Sequence, residues 1–278
     1  MAVLRLALLC LVLCATTAAR AEILNDTANG PHPVLDHAKT LVEDGVSLHW
    51  RSSFRPPTET VRFRRGRRAL LTLSDQHVEL NYRHAGAAPN LILTGWSGGA
   101  HCCYTLHVFS LAPPLVHQAI AVDDNDEVGF LVEGDGPPRL RFGDFAFAYW
   151  HTSFAESPAP TLVLRFDPAT RVYRADFAAM RRDKPDEAAL AARAAQTGGA
   201  PALWGAMLDL IYSGNAPAAR HLLDLAWPKG QRGERHFLAC FTRQLRGGRQ
   251  WQRFHLGRGF GADAAFPPVR ISARACRG

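Results

Sequence analysis

The stretch Leu91-Ile92-Leu93-Thr94-Gly95-Trp96-Ser97-Gly98-Gly99-Ala100-His101-Cys102-Cys103-Tyr104-Thr105-Leu106-His107-Val108-Phe109-Ser110 decides how this chain is read. An apolar run enters a glycine-rich corner, passes two adjacent cysteines and leaves as an alternating run. Glycine supplies backbone angles that other residues avoid, and both flanks are rich in β-branched and aromatic residues. The stretch therefore reads as strand, tight turn, strand.

The same period of two extends to both sides. Before the corner it runs through Val46-Leu48-Trp50, Leu70-Leu71-Thr72-Leu73 and Val78-Leu80-Tyr82. After it come residues 119–122, 129–132, 139–142, 161–166 and 172–173. Turn signals such as Pro56-Pro57, Ser74-Asp75 and Ala88-Pro89-Asn90 separate them. Such closely spaced short strands, with no helical window between them, imply an antiparallel sheet structure and not a parallel α/β layout.

From about Phe177 the period becomes helical. Residues 185–196 are alanine-rich, with Asp186 and Glu187 in the first turn, where they suit the helix dipole. Leu203, Met207, Leu210 and Ile211 share one helix face, Ser213-Gly214-Asn215 breaks it, and Asn215 is placed to cap the next helix. Ala219, Leu222, Leu223 and Ala226 repeat the pattern up to Trp227-Pro228, and a further helix is expected over 232–246. Near the N-terminus, Val34, Ala38, Leu41 and Val42 carry helical spacing, which predicts a short helix over 34–43. The expected fold is α+β. A β-rich region at 45–176, propeller-like or a sandwich, follows a segment with that short helix at 22–44. A helical region at 177–256 and a coil tail at 257–278 complete it.

Residues 1–21 read as a secretory leader. Arg5 precedes the apolar run Leu6 to Leu13, and small residues lead to a cleavage site after Ala21. No later run approaches the roughly 20 apolar residues of a membrane span. The expected location is the periplasm or the exterior. The chain carries 32 Lys+Arg against 25 Asp+Glu, and only Lys39, Lys184 and Lys229 are lysines. Beyond the leader four cysteines remain, Cys102, Cys103, Cys240 and Cys276, an even set that suits disulfides with three possible pairings.

Several motifs bear chemistry. Gly95-Trp96-Ser97-Gly98-Gly99 fits the G-x-S-x-G pattern of a nucleophile elbow, but such a serine sits on a strand-to-helix turn and here a strand follows. No nucleophile–base–acid constellation emerges elsewhere, and no cofactor motif is found. Cys102-Cys103 admits three readings: a disulfide between the neighbours, a staple to Cys240 or Cys276, or free thiols. Thiols with His101 or His107 would suit a soft metal or redox chemistry. The run Arg62, Arg64, Arg65, Arg67 and Arg68, with Phe63 among it, could hold a polyanion. Arg249, Arg253 and Arg258 with Trp251, Phe254 and Phe260 form a second basic and aromatic patch.

Glu133-Gly134-Asp135-Gly136-Pro137-Pro138-Arg139-Leu140 with Phe142-Gly143-Asp144 resembles an FG-GAP or VCBS-type blade motif of β-propellers, whose loop often holds calcium. Pro137 and Arg141 stand where acidic ligands would be expected. More of the chain is similar to exported bacterial proteins with a tryptophan–serine–glycine corner ending in histidine and paired cysteines. They also carry a Phe/Tyr segment like residues 144–160 and a helical end like 210–228. That resemblance implies export and no activity. The expected function is a non-enzymatic cell-envelope binding or scaffold role, with an anionic envelope polymer or envelope protein as partner. The alternatives are a thiol-based redox or soft-metal role at Cys102-Cys103 and polyanion binding by the arginines.

Overall fold

In the computed structural model, residues 21–23, 40–84, 86–99, 103–122, 128–131, 136–197 and 200–276 are described. The fold is α+β, with antiparallel sheets first and helices after them.

Three consecutive meanders form three sheets. The first sheet contains β2 (Thr40–Glu43), β3 (Val46–Phe54), β4 (Pro57–Arg65) and β5 (Arg68–Asp75), in that order. The second contains β6 (His77–His84), β7 (Leu91–Trp96), β8 (Tyr104–Ser110) and β9 (Val116–Ala121), with β1 (Ala21–Ile23) added beside β6. The third contains β10 (Gly129–Leu131), β11 (Arg139–Gly143), β12 (Thr161–Asp167) and β13 (Val172–Ala175).

The second sheet is the middle layer, because both of its faces are apolar. Val78, Leu80, Leu91, Leu93 and Phe109 pack with Val46, Leu48, Val61, Phe63 and Leu73 of the first sheet. Tyr82, Ile92, Leu106, Val108 and Ile120 point the other way, into a larger core with Leu140, Phe142, Leu162, Leu164 and Tyr173 of the third sheet and with the helices. Period-two alternation makes this possible, since successive residues of β7 feed opposite cores. Successive meanders laid face to face follow one another as propeller blades do. Among the described residues three such sheets stand beside the 4–8 blades of a closed propeller and the two layers of a sandwich.

The helical part comprises α1 (Phe177–Met180), α2 (Glu187–Gln196), α3 (Ala200–Tyr212), α4 (Ala216–Ala226), α5 (Glu234–Gly247), α6 (Arg249–Arg253) and α7 (Leu256–Gly259). Trp204, Met207, Ile211, Leu222 and Phe241, each no more than 2% exposed, share the larger core with Phe147 and Trp150. Asp144 is buried there and accepts a 2.6 Å hydrogen bond from the Tyr212 hydroxyl, joining the β11–β12 connection to α3. No helix among the described residues is long and apolar enough to cross a membrane.

Several expectations are corrected. Thr40–Glu43, expected in a short helix, is strand β2; residues 34–39 lie outside the described residues. The physical reason is Asp44-Gly45, both with positive φ (48° and 71°), which make a tight hairpin into β3. Leu41 and Glu43 then face Leu48 and Val46 across the pair. Ala21–Ile23, at the expected junction of leader and mature chain, is a strand that pairs with β6. The tail expected as coil contains α7 and a short 3-10 turn, Arg274–Cys276. Asn215 occupies the cap position of α4, yet its side chain donates to the carbonyls of Arg182, Asp183 and Ser213 instead of accepting from the helix.

Candidate functional site

The ends of β7 and β8 on either side of the corner are held together. Trp96 and Tyr104 are cross-strand partners with rings stacked at 6.2 Å. The Ser97 N–H donates to the Cys103 carbonyl at 3.3 Å, and the Ser97 hydroxyl donates to the same oxygen at 3.4 Å. Ser97 thus serves the turn, its hydroxyl engaged by a backbone carbonyl.

The chemistry at this end lies on the face of β7 and β8 turned toward the first sheet. In register, Gly95 pairs with Val78 and Thr105, while His107 pairs with Leu93 and Ala119. An added Cβ at Gly95 would lie 2.2 Å from Asp75 Oδ2 and 3.2 Å from His107 Nε2. The missing side chain is therefore what admits the carboxylate. A glycine inside a strand commonly marks such a close approach.

Asp75, His107 and His117 form a row. His107 Nε2 is 3.9 Å from Asp75 Oδ2, and His107 Nδ1 is 3.1 Å from His117 Nε2. His117 also stacks on Phe109, with ring centroids 4.6 Å apart and planes 6° apart. Burial lowers the His107 pKa to about 4, helped by the charge on His117, and burial also lowers that of His117. Burial raises the Asp75 carboxyl above the usual carboxylate value. At neutral pH both rings are uncharged, so the Asp75–His107 approach is no ion pair, and 3.9 Å is too long for a hydrogen bond. His107 Nε2 is a buried nitrogen without a hydrogen-bond partner. The row can take up a proton only at acid pH. Nearby, Glu59 Oε2 accepts from the Val78 N–H at 2.7 Å and lies 3.2 Å from His77 Nδ1.

Of the soft-metal set, only Cys103 and His107 are described. His101 and Cys102 lie outside the described residues, as do most of the acidic loops, 123–127 and 132–135. His107 faces between the sheets beside His117. Cys103 is in a disulfide, so its sulfur is no thiolate. Among the described residues, no three His, Cys, Asp or Glu side chains are grouped to hold a metal ion. Cys240 and Cys276 are bonded to each other, which removes the staple from Cys102 or Cys103 to either of them.

The predicted basic run is placed on a hairpin. Arg62, Arg64 and Arg65 lie on β4, Arg67 in the turn and Arg68 at the start of β5. Arg62 sits between His49 and Thr72, and Arg64 between Ser47 and Ala69, on the face away from the core. Arg51 continues that face beside Thr60, which is paired with Ser74. The acids of these strands, Glu43, Glu59 and Asp75, have the opposite parity and turn inward. The outer face therefore presents arginine, histidine and hydroxyl groups with no carboxylate. Arg51, Arg62, Arg67 and Arg68 form no ion pair among the described residues. Residues 51–68 carry seven arginines against Glu59 alone.

Sequence reading missed Asp75 and His117. The strand glycine Gly95 was a usable signal for the first. Nothing local marks His117, which meets His107 only through the β8–β9 register. No family model, curated protein or solved structure matches the chain.

Proposed function

We propose that the protein is an exported, non-enzymatic binding protein of the cell envelope that holds an anionic polymer on the outer face of its first sheet. The observation that supports this most is the carboxylate-free face carrying Arg51, Arg62 and Arg64 on adjacent strands, with Arg67 and Arg68 at its end. Two residues apart on one strand, Arg62 and Arg64 repeat at roughly 6.7 Å, a regular spacing of fixed cations suited to a repeating anion. The hydroxyls of Thr60 and Thr72 between them add uncharged polar groups. The leader-like N-terminus and the disulfides support export.

The test is binding of polyphosphate to the full chain across a salt series. The expected result is affinity that falls linearly on a log–log plot, by roughly 0.7–0.9 in slope per phosphate neutralised. The double variant Arg62→Gln/Arg64→Gln should lower both affinity and slope. Affinity that ignores salt, or that survives the double variant, overturns the reading.

A second reading, thiol–disulfide chemistry at the glycine corner, is favoured by one observation: Cys103 is solvent-exposed and disulfide-bonded to a cysteine other than Cys240 or Cys276. Exposed disulfides are the readily reduced ones. Alkylation and mass spectrometry before and after mild reductant test it, and a bond at Cys103 that resists reductant counts against it.

A further inference from the structure

Residues 235–278 contain nine arginines and one acid, Asp263, a net charge of +8 by that count, in a chain whose total is +7. The C-terminal end thus carries a local excess of positive charge, and the fold concentrates part of it around a cavity.

The cavity, about 520 Å³, lies between the end of α5, the start of α6 and the C-terminal tail. Arg243, Arg246 and Arg249 line one side, at three-residue spacing, and Pro268 and Val269 line the other. The rest of the described wall is Gln244 with glycines and alanines, so no carboxylate lines it among the described residues. The tail is held over α5 by the Cys240–Cys276 disulfide, which closes a loop with a sequence separation of 36.

The guanidiniums are prepositioned. Arg243 Nη1 donates to the Ile271 carbonyl at 3.1 Å, and Arg246 Nη1 donates to the Phe266 carbonyl at 3.1 Å and to Asp263 Oδ1 at 2.6 Å. Each guanidinium has five N–H donors, and these contacts occupy one nitrogen of each. Ordering them in advance lowers the entropic cost of binding. Among the described residues Asp263 meets Arg246, whereas the printed partner of Arg243 is a backbone carbonyl, so Arg243 keeps its positive charge at the cavity. Just behind it, Arg249 lies one helical turn from Arg253, whose pKa is lowered by burial and by the charge on Arg249.

We propose that this cavity binds a small ligand bearing a phosphate or carboxylate group. The arginine side would grip its oxyanion edge, and the Pro268–Val269 side would cover its neutral body. The volume falls in the roughly 300–1,000 Å³ range of small-molecule sites, too small for a polymer. This site is separate from the arginine face of the first sheet and does not depend on it.

The experiment is calorimetric titration of the full chain with inorganic phosphate and, separately, with citrate, at constant ionic strength set by sodium chloride. Saturable one-to-one binding of either probe is expected, and the tighter one names the oxyanion class. Arg243→Gln and Arg249→Gln should each weaken it about tenfold, whereas Arg249→Lys should weaken it less. Arg62→Gln/Arg64→Gln, which tests the polymer face, should leave it unchanged, so the two readings can fail independently. If neither probe binds saturably, or if binding survives both Gln variants, the proposal is overturned.

Discussion

The side-chain amide of Gln118 pairs with both main-chain groups of Tyr173. Its Nε2 donates to the Tyr173 carbonyl at 2.9 Å, and its Oε1 accepts from the Tyr173 N–H at 2.7 Å. A side chain on the edge strand β9 thereby occupies the open edge of β13 and ties the second sheet to the third. Nearby, Arg171 in the β12–β13 turn donates to the carbonyls of Ala112 and Pro114 in the β8–β9 loop. These side chains join two sheets that share no paired strand among the described residues.

Replacing Gln118 with Ala removes two hydrogen bonds and leaves the Tyr173 backbone groups without them, at about 1 kcal/mol each. The expected loss is about 2 kcal/mol, read as a lower urea midpoint with an unchanged slope. Gln118→Glu should be no better than Ala, because a carboxylate would face the Tyr173 carbonyl.

The space at Gly95 is filled by Asp75. Gly95→Ala would set a methyl 2.2 Å from the Asp75 carboxylate and should destabilise the protein by about 1–3 kcal/mol. Asp75→Ala vacates that space. In a double-mutant cycle the Gly95→Ala cost should therefore shrink when Asp75 is already Ala, and simple additivity would refute the contact.

Acid should weaken the fold through His107. Its folded pKa of about 4 lies below the usual 6.5, so the native state prefers the neutral ring. That contribution is complete above pH 6.5 and is lost as pH falls toward 4, amounting to about 3 kcal/mol for this shift. His117, lowered as well, acts in the same direction. Asp75 has the opposite sign: its raised pKa favours the native state when protonated, which offsets part of the loss at the acid end. Melting temperature measured from pH 7.5 to 4 should fall, and His107→Phe should flatten the decline.

Gly259 has no room for a side chain. An added Cβ would meet the Phe177 ring at 1.8–2.3 Å. Gly259→Ala should cost about 2–3 kcal/mol as overpacking, measured by thermal or urea denaturation. Most of that cost should vanish in a Phe177→Ala background, although the Phe177 change alone is itself destabilising.

The features legible in the sequence were the ones that repeat. Alternation along Leu91–Ser110 announced β7 and β8, and the 3.6-residue spacing of Leu203, Met207, Leu210 and Ile211 announced α3. Hidden elements had their pattern masked by unusual residues. β4 alternates Val61 and Phe63 with Arg62 and Arg64, so the arginines drew the eye to a charge run and away from a strand. The Asp44-Gly45 hairpin was a strong local signal, outweighed by an accidental helical spacing just before it. Gly257 and Gly259 made the end of the chain look like coil, though Leu256 and Phe260 are buried and Gly259 yields its place to the Phe177 ring. Of the site, the glycine corner was readable because its residues are contiguous. Asp75 meets Gly95 and His107 only across packed sheets, a relation no local pattern encodes.

The double-sided burial of the second sheet bears on how this chain matures. During synthesis the N-terminal meander emerges first and can lean on β6 to β9 as soon as those strands exist. Ile92, Leu106 and Val108 nevertheless stay wet until the third meander and the helices have followed. An intermediate halted midway would carry one finished and one naked surface on the same four strands. The second half of the polypeptide therefore acts as an intramolecular cover, shielding a greasy wall that would otherwise recruit neighbouring molecules.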